Sequence, residues 1–219
     1  MNSAHTAGPV VVGIDGSETA LDAVRFAVQE ARGRGTSLRL IHVIAGHAEP
    51  ETVYGAPDVD GDYARTALSR AAHVAASIDP AVAVESVVAQ GRPESVMSTE
   101  AGSASLLVLG TTTGSAVTAW VLGSMVGAVV EASPHPVAIV RHFDAERRGP
   151  VVAALGDADI SQADVVVAQA FHEASIRSAS VLAVHTQAVS SILASALSRP
   201  GDGLHPESAM DVRLEPFGA

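Results

Sequence analysis

Three observations predict an α/β protein built on an open, doubly wound parallel five-stranded sheet with helices on both faces, followed by a partial second α/β repeat. Short apolar runs alternate with longer segments of helical period along the first two-thirds of the chain. Those runs are rich in Val, Leu and Ile, as strands buried on both faces of a parallel sheet are. The opening run also returns, as Pro150–Leu155, 141 residues after Pro9–Ile14.

The first strand is Pro9–Ile14, a continuous β-branched stretch that ends at Asp15-Gly16-Ser17. Ser17 suits a helix N-cap, and Ala20, Leu21, Val24, Ala27, Val28 and Ala31 then share one helical face. Gly33 and Gly35 stop that helix; because they follow a helix and do not open one, they are no dinucleotide fingerprint. Leu38–Ile44 is the second strand, and strand–helix–strand implies a right-handed parallel unit. After a polar loop, a second helix runs from about Tyr63 to Ile78, stopped by Asp79-Pro80. Val82–Ala89 is the third strand, and Pro93 suits the first position of a third helix. The fourth strand is Leu106–Leu109. Met125–Val130 is a fourth helix, and Val137–Val140 the fifth strand.

The stretch Ser105–Ser124 carries the functional expectation. It passes from a buried strand through a Gly/Ser/Thr loop, Gly110 to Ser115, to Gly123-Ser124 at the start of a helix. Converging backbone N–H groups and the positive end of a helix dipole make such an arrangement an anion site. Ligands of doubly wound sheets bind at the carboxyl ends of the strands, where Asp15, Val43 and Gly110 fall.

Composition narrows the chemistry. The chain has 219 residues, 47% of them hydrophobic and 3% aromatic, so its core is built from Ala, Val, Leu and Ile. A net charge of −11 argues against nucleic acid, because no basic stripe is left to meet phosphates. Without Cys there is no disulfide, thiolate nucleophile or cysteine metal site. All thirteen basic residues are Arg, which removes a lysine-bearing phosphate loop and lysine-based catalysis. The uncharged stretch Ala101–Val130 is interrupted by Gly110, Gly114, Gly123 and Gly127 and a Thr/Ser cluster, so no membrane span is expected. With no signal-peptide pattern in Met1–Pro9, a cytoplasmic location is expected.

Residues Pro9–Arg141 resemble the universal stress protein family. The resemblance is carried by Val10–Ser17 (VVVGIDGS), Leu40–Val43 (LIHV), the Gly110–Ser124 loop and Ser133–Val140 (SPHPVAIV). It implies a Rossmann-like fold of the adenine nucleotide alpha hydrolase type. The ATP-binding branch has a glycine, two residues, a second glycine, nine residues, then Gly and Ser/Thr. Here Gly110 and Gly123-Ser124 are 13 apart as required, while the middle position is Thr113 and glycine comes one residue later, at Gly114. The resemblance places Gly13, Ile14 and Asp15 at the ribose or adenine end and Val43 against adenine. It puts Leu109 and Gly110 under the ribose and first phosphates, with Thr113 and Gly114 in the phosphate loop. Gly123, Ser124 and Met125 would face the phosphates. The implied cofactor is ATP, with or without Mg2+, and the implied partner a second copy joined through Val137–Val140.

The second half reads as an incomplete copy. Glu173-Ala174 and Val181–His185 repeat Glu30-Ala31 and Leu38–His42 at a spacing of 143. This gives a first domain of residues 1–146 (core 9–142) and a partial repeat of 147–219. After one short helix, about Val189 to Leu197, the tail shows no periodicity and no third strand is expected.

Nothing else points to catalysis. The nine histidines show no metal-ligand spacing, and His42 and His135 read as structural. Asp15, Ser17 and His42 lie near one sheet edge but lack a nucleophile elbow, and Ser17 is better explained as a cap. Trp120 reads as a packing residue at the base of the loop. Two functional classes remain: a stress-response regulator that binds an adenine nucleotide and is not an enzyme, and a nucleotide-free dimerising interaction module of the same fold.

Overall fold

The computed structural model describes residues 8–45, 58–111, 124–146, 149–156, 160–186 and 212–214. The chain divides into two compact units, residues 1–144 and 145–219.

The first unit runs β1 (Val10–Gly13), α1 (Glu18–Arg34), β2 (Leu38–Ile44), α2 (Val59–Ile78), β3 (Val84–Gln90), α3 (Pro93–Ala101), β4 (Leu106–Gly110), α4 (Ser124–Ala132), β5 (Val137–Val140). Its five strands are all parallel, in the order β3-β2-β1-β4-β5. The order reverses between β1 and β4, and this fixes where a ligand crevice forms.

Burial explains why the strands read as continuous apolar runs. Val10, Val12, Leu38, Leu40, Leu106 and Val108 pack under α1 and α2. Val11, Ile41, Leu107 and Leu109 pack on the other face with Met97 and Ala101 of α3 and Val126 and Val129 of α4. Alanines at Ala20, Ala23, Ala27 and Ala31, and at Ala64, Ala71 and Ala75, line the sheet side of α1 and α2. Their small side chains let the helix axes approach the sheet in a core almost without aromatics. One charged pair is sealed into this layer: Arg34 donates to Glu30 across one turn of α1, and both side chains are buried.

The caps fall where the residue types place them. Ser17 accepts the Ala20 N–H at 3.1 Å, and Gly35 closes α1 in the left-handed region at φ 63°. Gly33, expected to help stop α1, lies inside it, and two elements start two or more residues away from the sequence reading. α2 starts at Val59, before Tyr63, because Asp58 accepts the Gly61 N–H at 3.0 Å and nucleates an earlier turn. β3 starts at Val84 instead of Val82, because Asp79 accepts the Ala81 N–H and holds residues 79–82 in a turn.

The second unit runs β6 (Val151–Gly156), α5 (Ile160–Arg177), β7 (Val181–Thr186), β8 (Val212–Leu214). β6 and β7 are parallel; β8 lies antiparallel on the outer edge of β7. β8 corrects the expectation of a tail without a third strand. Three residues carry no readable period, and it is pairing with the β7 edge that makes them a strand. The expected helix Val189–Leu197 lies outside the described residues.

β6-α5-β7 repeats β1-α1-β2 in detail. Its core of Ala153, Ala170, Ala174 and Val181 occupies the positions of Val12, Ala27, Ala31 and Leu38. The Glu30–Arg34 pair recurs as Glu173–Arg177. The Val10 N–H bond to the Ser37 carbonyl (2.9 Å) recurs from Val151 to Ser180 (2.8 Å).

One position in the repeat is strained. Where α1 ends on Gly35, α5 ends on Ser178 at φ 51°, the one non-glycine residue with positive φ among those described. A Cβ in that region costs on the order of 1 kcal/mol. Ser178→Gly is therefore expected to stabilise the second unit by about 0.5–1 kcal/mol, read as slower amide exchange in β6 and β7. Unchanged or faster exchange would contradict the strain.

Candidate functional site

At the carboxyl ends of β1 and β4 the backbone of three segments converges. β1 ends at Gly13, and a Cβ there would meet Leu109 Cδ2 at 3.0 Å and Met97 Cε at 3.4 Å. Ile14 continues the β1–β2 pairing, its N–H bonding the Ile41 carbonyl at 2.8 Å. Gly16 then turns the chain at φ 87°, a conformation that favours glycine.

Asp15 faces this turn. Its Oδ1 accepts the Ser17 N–H at 2.9 Å and the Ser17 hydroxyl at 2.6 Å. Ser17 Oγ in turn accepts the Ala20 N–H and lies 2.9 Å from Thr19 Oγ1. One carboxylate oxygen thus holds the first turn of α1.

Gly110, at the end of β4, lies against that same turn. A Cβ on Gly110 would stand 2.5 Å from the Thr19 carbonyl oxygen and 2.8 Å from the Ala20 nitrogen. Only a residue without a side chain lets β4 pass this close to α1. The following residue, Thr111, is tied to β5 by its N–H bond to the Val140 carbonyl at 2.9 Å. Across the sheet switch the site therefore has two glycine-built floors, Gly13–Gly16 and Gly110. The N-terminus of α1 follows directly on the β1 turn.

The wall on the α2 side went unrecognised in the sequence. Tyr63 donates its hydroxyl to the Asp15 carbonyl at 3.0 Å, and its oxygen fills the space a Cβ on Gly16 would need. The Tyr63 ring meets His42 edge-on, with centroids 5.7 Å apart. The signal available in the sequence is the glycine after Asp15; nothing local links Asp15 to a tyrosine 48 residues away. His42 is buried at 8% exposure.

The other expected residues divide in two. Val43 packs with Val87, Ala89 and Val96 around the α3–α4 face, Leu109 is buried there, and Met125 is exposed at the start of α4. Ser124 is the first residue of α4. Thr113, Gly114 and Gly123, with His47 and Trp120, lie outside the described residues. Beyond the crevice, Glu94 in the first turn of α3 is held below the usual carboxylate range by its own backbone N–H and by Arg92. Among the described residues no cluster of His and acids could hold a metal. No described helix is long and apolar enough to cross a membrane.

A family model, described as the Universal stress protein family, matches residues 7–141. The chain belongs to the universal stress protein family. Universal stress protein Rv3134c of Mycobacterium tuberculosis is 32% identical over 191 residues, which cover 86% of this chain and 68% of that protein. The structure of a universal stress protein from Archaeoglobus fulgidus covers 61% of this chain and 98% of its own, at 24% identity and a TM-score of 0.52. A longer one from Archaeoglobus fulgidus DSM 4304 covers 87% of this chain and 71% of its own, at 17% identity and a TM-score of 0.66. These structures share the universal stress protein fold, the Rossmann-like arrangement described above.

Proposed function

We propose that this universal stress protein binds an adenine nucleotide, ATP with or without Mg2+, in the crevice between the ends of β1 and β4. It is proposed to act in the cytoplasm as a stress-response regulator, signalling through its conformation or its choice of partner. The observation that carries the reading is the seat of Gly110. β4 ends flush against the first turn of α1, on the far side of the switch from Gly13–Gly16, where a side chain would fill the space. The Gly110 to Gly123-Ser124 spacing of the ATP-binding branch supports it, since Ser124 opens α4 and a helix N-terminus favours phosphate. Backbone groups and a hydroxyl suffice for such a site in a chain without lysine. The reading assigns the protein no catalysis beyond slow, incidental hydrolysis.

Thr113, standing where the branch has glycine, favours the second reading, a nucleotide-free interaction module of the same fold. Mass spectrometry of the gently purified protein separates the two. A co-purifying adenine nucleotide supports the regulator, and a clean protein that also takes up no added nucleotide supports the module.

The reading also pairs two chains through β5. This strand is the uncharged edge of the first sheet, and a bare apolar edge invites pairing. Ile139→Lys is expected to convert a dimer to a monomer at tens of micromolar, by light scattering. A wild-type monomer, or a dimer indifferent to the substitution, would exclude this interface.

A further inference from the structure

The repeat between the two units shows what the second one leaves uncovered. β1 is paired on both edges, by β2 and β4. Among the described residues its counterpart β6 is paired only with β7. Val11 is 0% exposed in β1, while Val152, at the matching position of β6, is 56% exposed. On the helix the contrast recurs. Ala23 and Val28 of α1 are buried, whereas Val166 and Phe171, their counterparts in α5, are 38% and 43% exposed.

The backbone of the open edge has a definite pattern. Val151 bonds the Ser180 carbonyl on the β7 side, so the N–H and C=O groups of Val152 and Ala154 face away from β7. The strand reads VVAALG, with none of the charges or prolines that guard edge strands. The overlying helix leans the same way. α1 packs across β1 and β4 and scarcely touches β2; α5 packs on β6 and scarcely on β7. α5 therefore stands over the open edge as α1 stands over the β1–β4 junction.

We propose that the β6 edge is a strand-acceptor site. Its ligand is an uncharged β-strand of a partner polypeptide, running parallel to β6 beneath α5 and carrying glycine where it passes the start of that helix. The first unit shows the chemistry. β4 is LLVLG, and its terminal Gly110 is what fits under α1. A second copy pairing through its own β6 is disfavoured by geometry. A two-fold axis between neighbouring strands, ~4.8 Å apart, would bring both α5 helices over one pair of strands, whereas packed helices need ~8–10 Å.

The test titrates the full chain with a fluorescent peptide of the Ser105–Thr111 sequence, flanked by Asn-Ser tails. Anisotropy and amide exchange are followed together. Expected are saturable binding and slowed exchange at Val152 and Ala154. The peptide with valine in place of its glycine should bind about tenfold more weakly. Ala154→Pro, which removes one edge N–H and none of the β6–β7 bonds, should weaken binding similarly. If that variant unfolds the second unit, the valine peptide decides. Equal binding of a scrambled peptide, or no binding at millimolar peptide, would overturn the proposal. So would edge amides already protected in the chain alone, which would show that residues 187–211 or a second copy fill the edge.

Discussion

Gly110→Ala is expected to lower the melting midpoint of the first unit by on the order of 10 °C, a loss of about 3 kcal/mol. The added Cβ would stand 2.5 Å from the Thr19 carbonyl oxygen, 2.7 Å from its carbon and 2.8 Å from the Ala20 nitrogen. All three are backbone atoms in a capped helical turn and cannot rotate away. To make room, α1 would have to shift off β1, breaking the packing of Ala20, Val24 and Ala27 beneath it. Nucleotide affinity should fall with stability, because the same shift displaces the α1 turn that borders the crevice. A variant that melts within 2–3 °C of wild type would show that the approach is looser than described.

Glu30→Ala is expected to cost about 3–5 kcal/mol, a large share of a domain's stability. The Glu30 side chain is fully buried and that of Arg34 nearly so, so removing the carboxylate breaks a charge pair that solvent scarcely reaches. The penalty lies mainly in the broken charge pair. Replacing both partners with apolar residues, Glu30→Met with Arg34→Leu, should therefore recover most of it. The repeat supplies a control. Glu173 and Arg177 form the same pair with more solvent contact, and Glu173→Ala should cost about 1 kcal/mol or less. Urea unfolding of the three variants checks the set. Similar costs at Glu30 and Glu173, or no recovery in the double variant, would contradict it.

Much of this architecture was legible in the sequence because its signals are local. Val10–Val12 and Leu106–Leu109 are apolar on both faces, which a strand can be only if helices cover both sides. Ser17 and Gly35 begin and end α1 through bonds to their own neighbours, and Pro93 opens α3 with its ring-fixed φ. Signals failed where the deciding partner is distant or the element is short. Tyr63 closes the Asp15 turn from another helix. The requirement for glycine at 110 comes from Thr19, and β8 exists only through the edge of β7. The candidate site divides the same way. Its β1 and β4 ends were readable as strand termini, whereas the hold of Asp15 on Ser17 depends on how one carboxylate turns.

Nucleotide binding is tested most directly by isothermal calorimetry of the full chain with ATP. A saturable heat is predicted for wild type and its loss for Gly123→Val, since a bulky side chain there blocks the backbone approach to phosphate. Ser124→Ala should weaken binding by about 1 kcal/mol. If Thr113 holds the position the phosphate loop needs as glycine, Thr113→Gly tightens binding. If Gly114 has taken that role, Gly114→Val abolishes binding and Thr113→Gly changes little. No heat and no thermal shift at millimolar ATP, in both wild type and Thr113→Gly, would contradict the nucleotide reading and leave the interaction module.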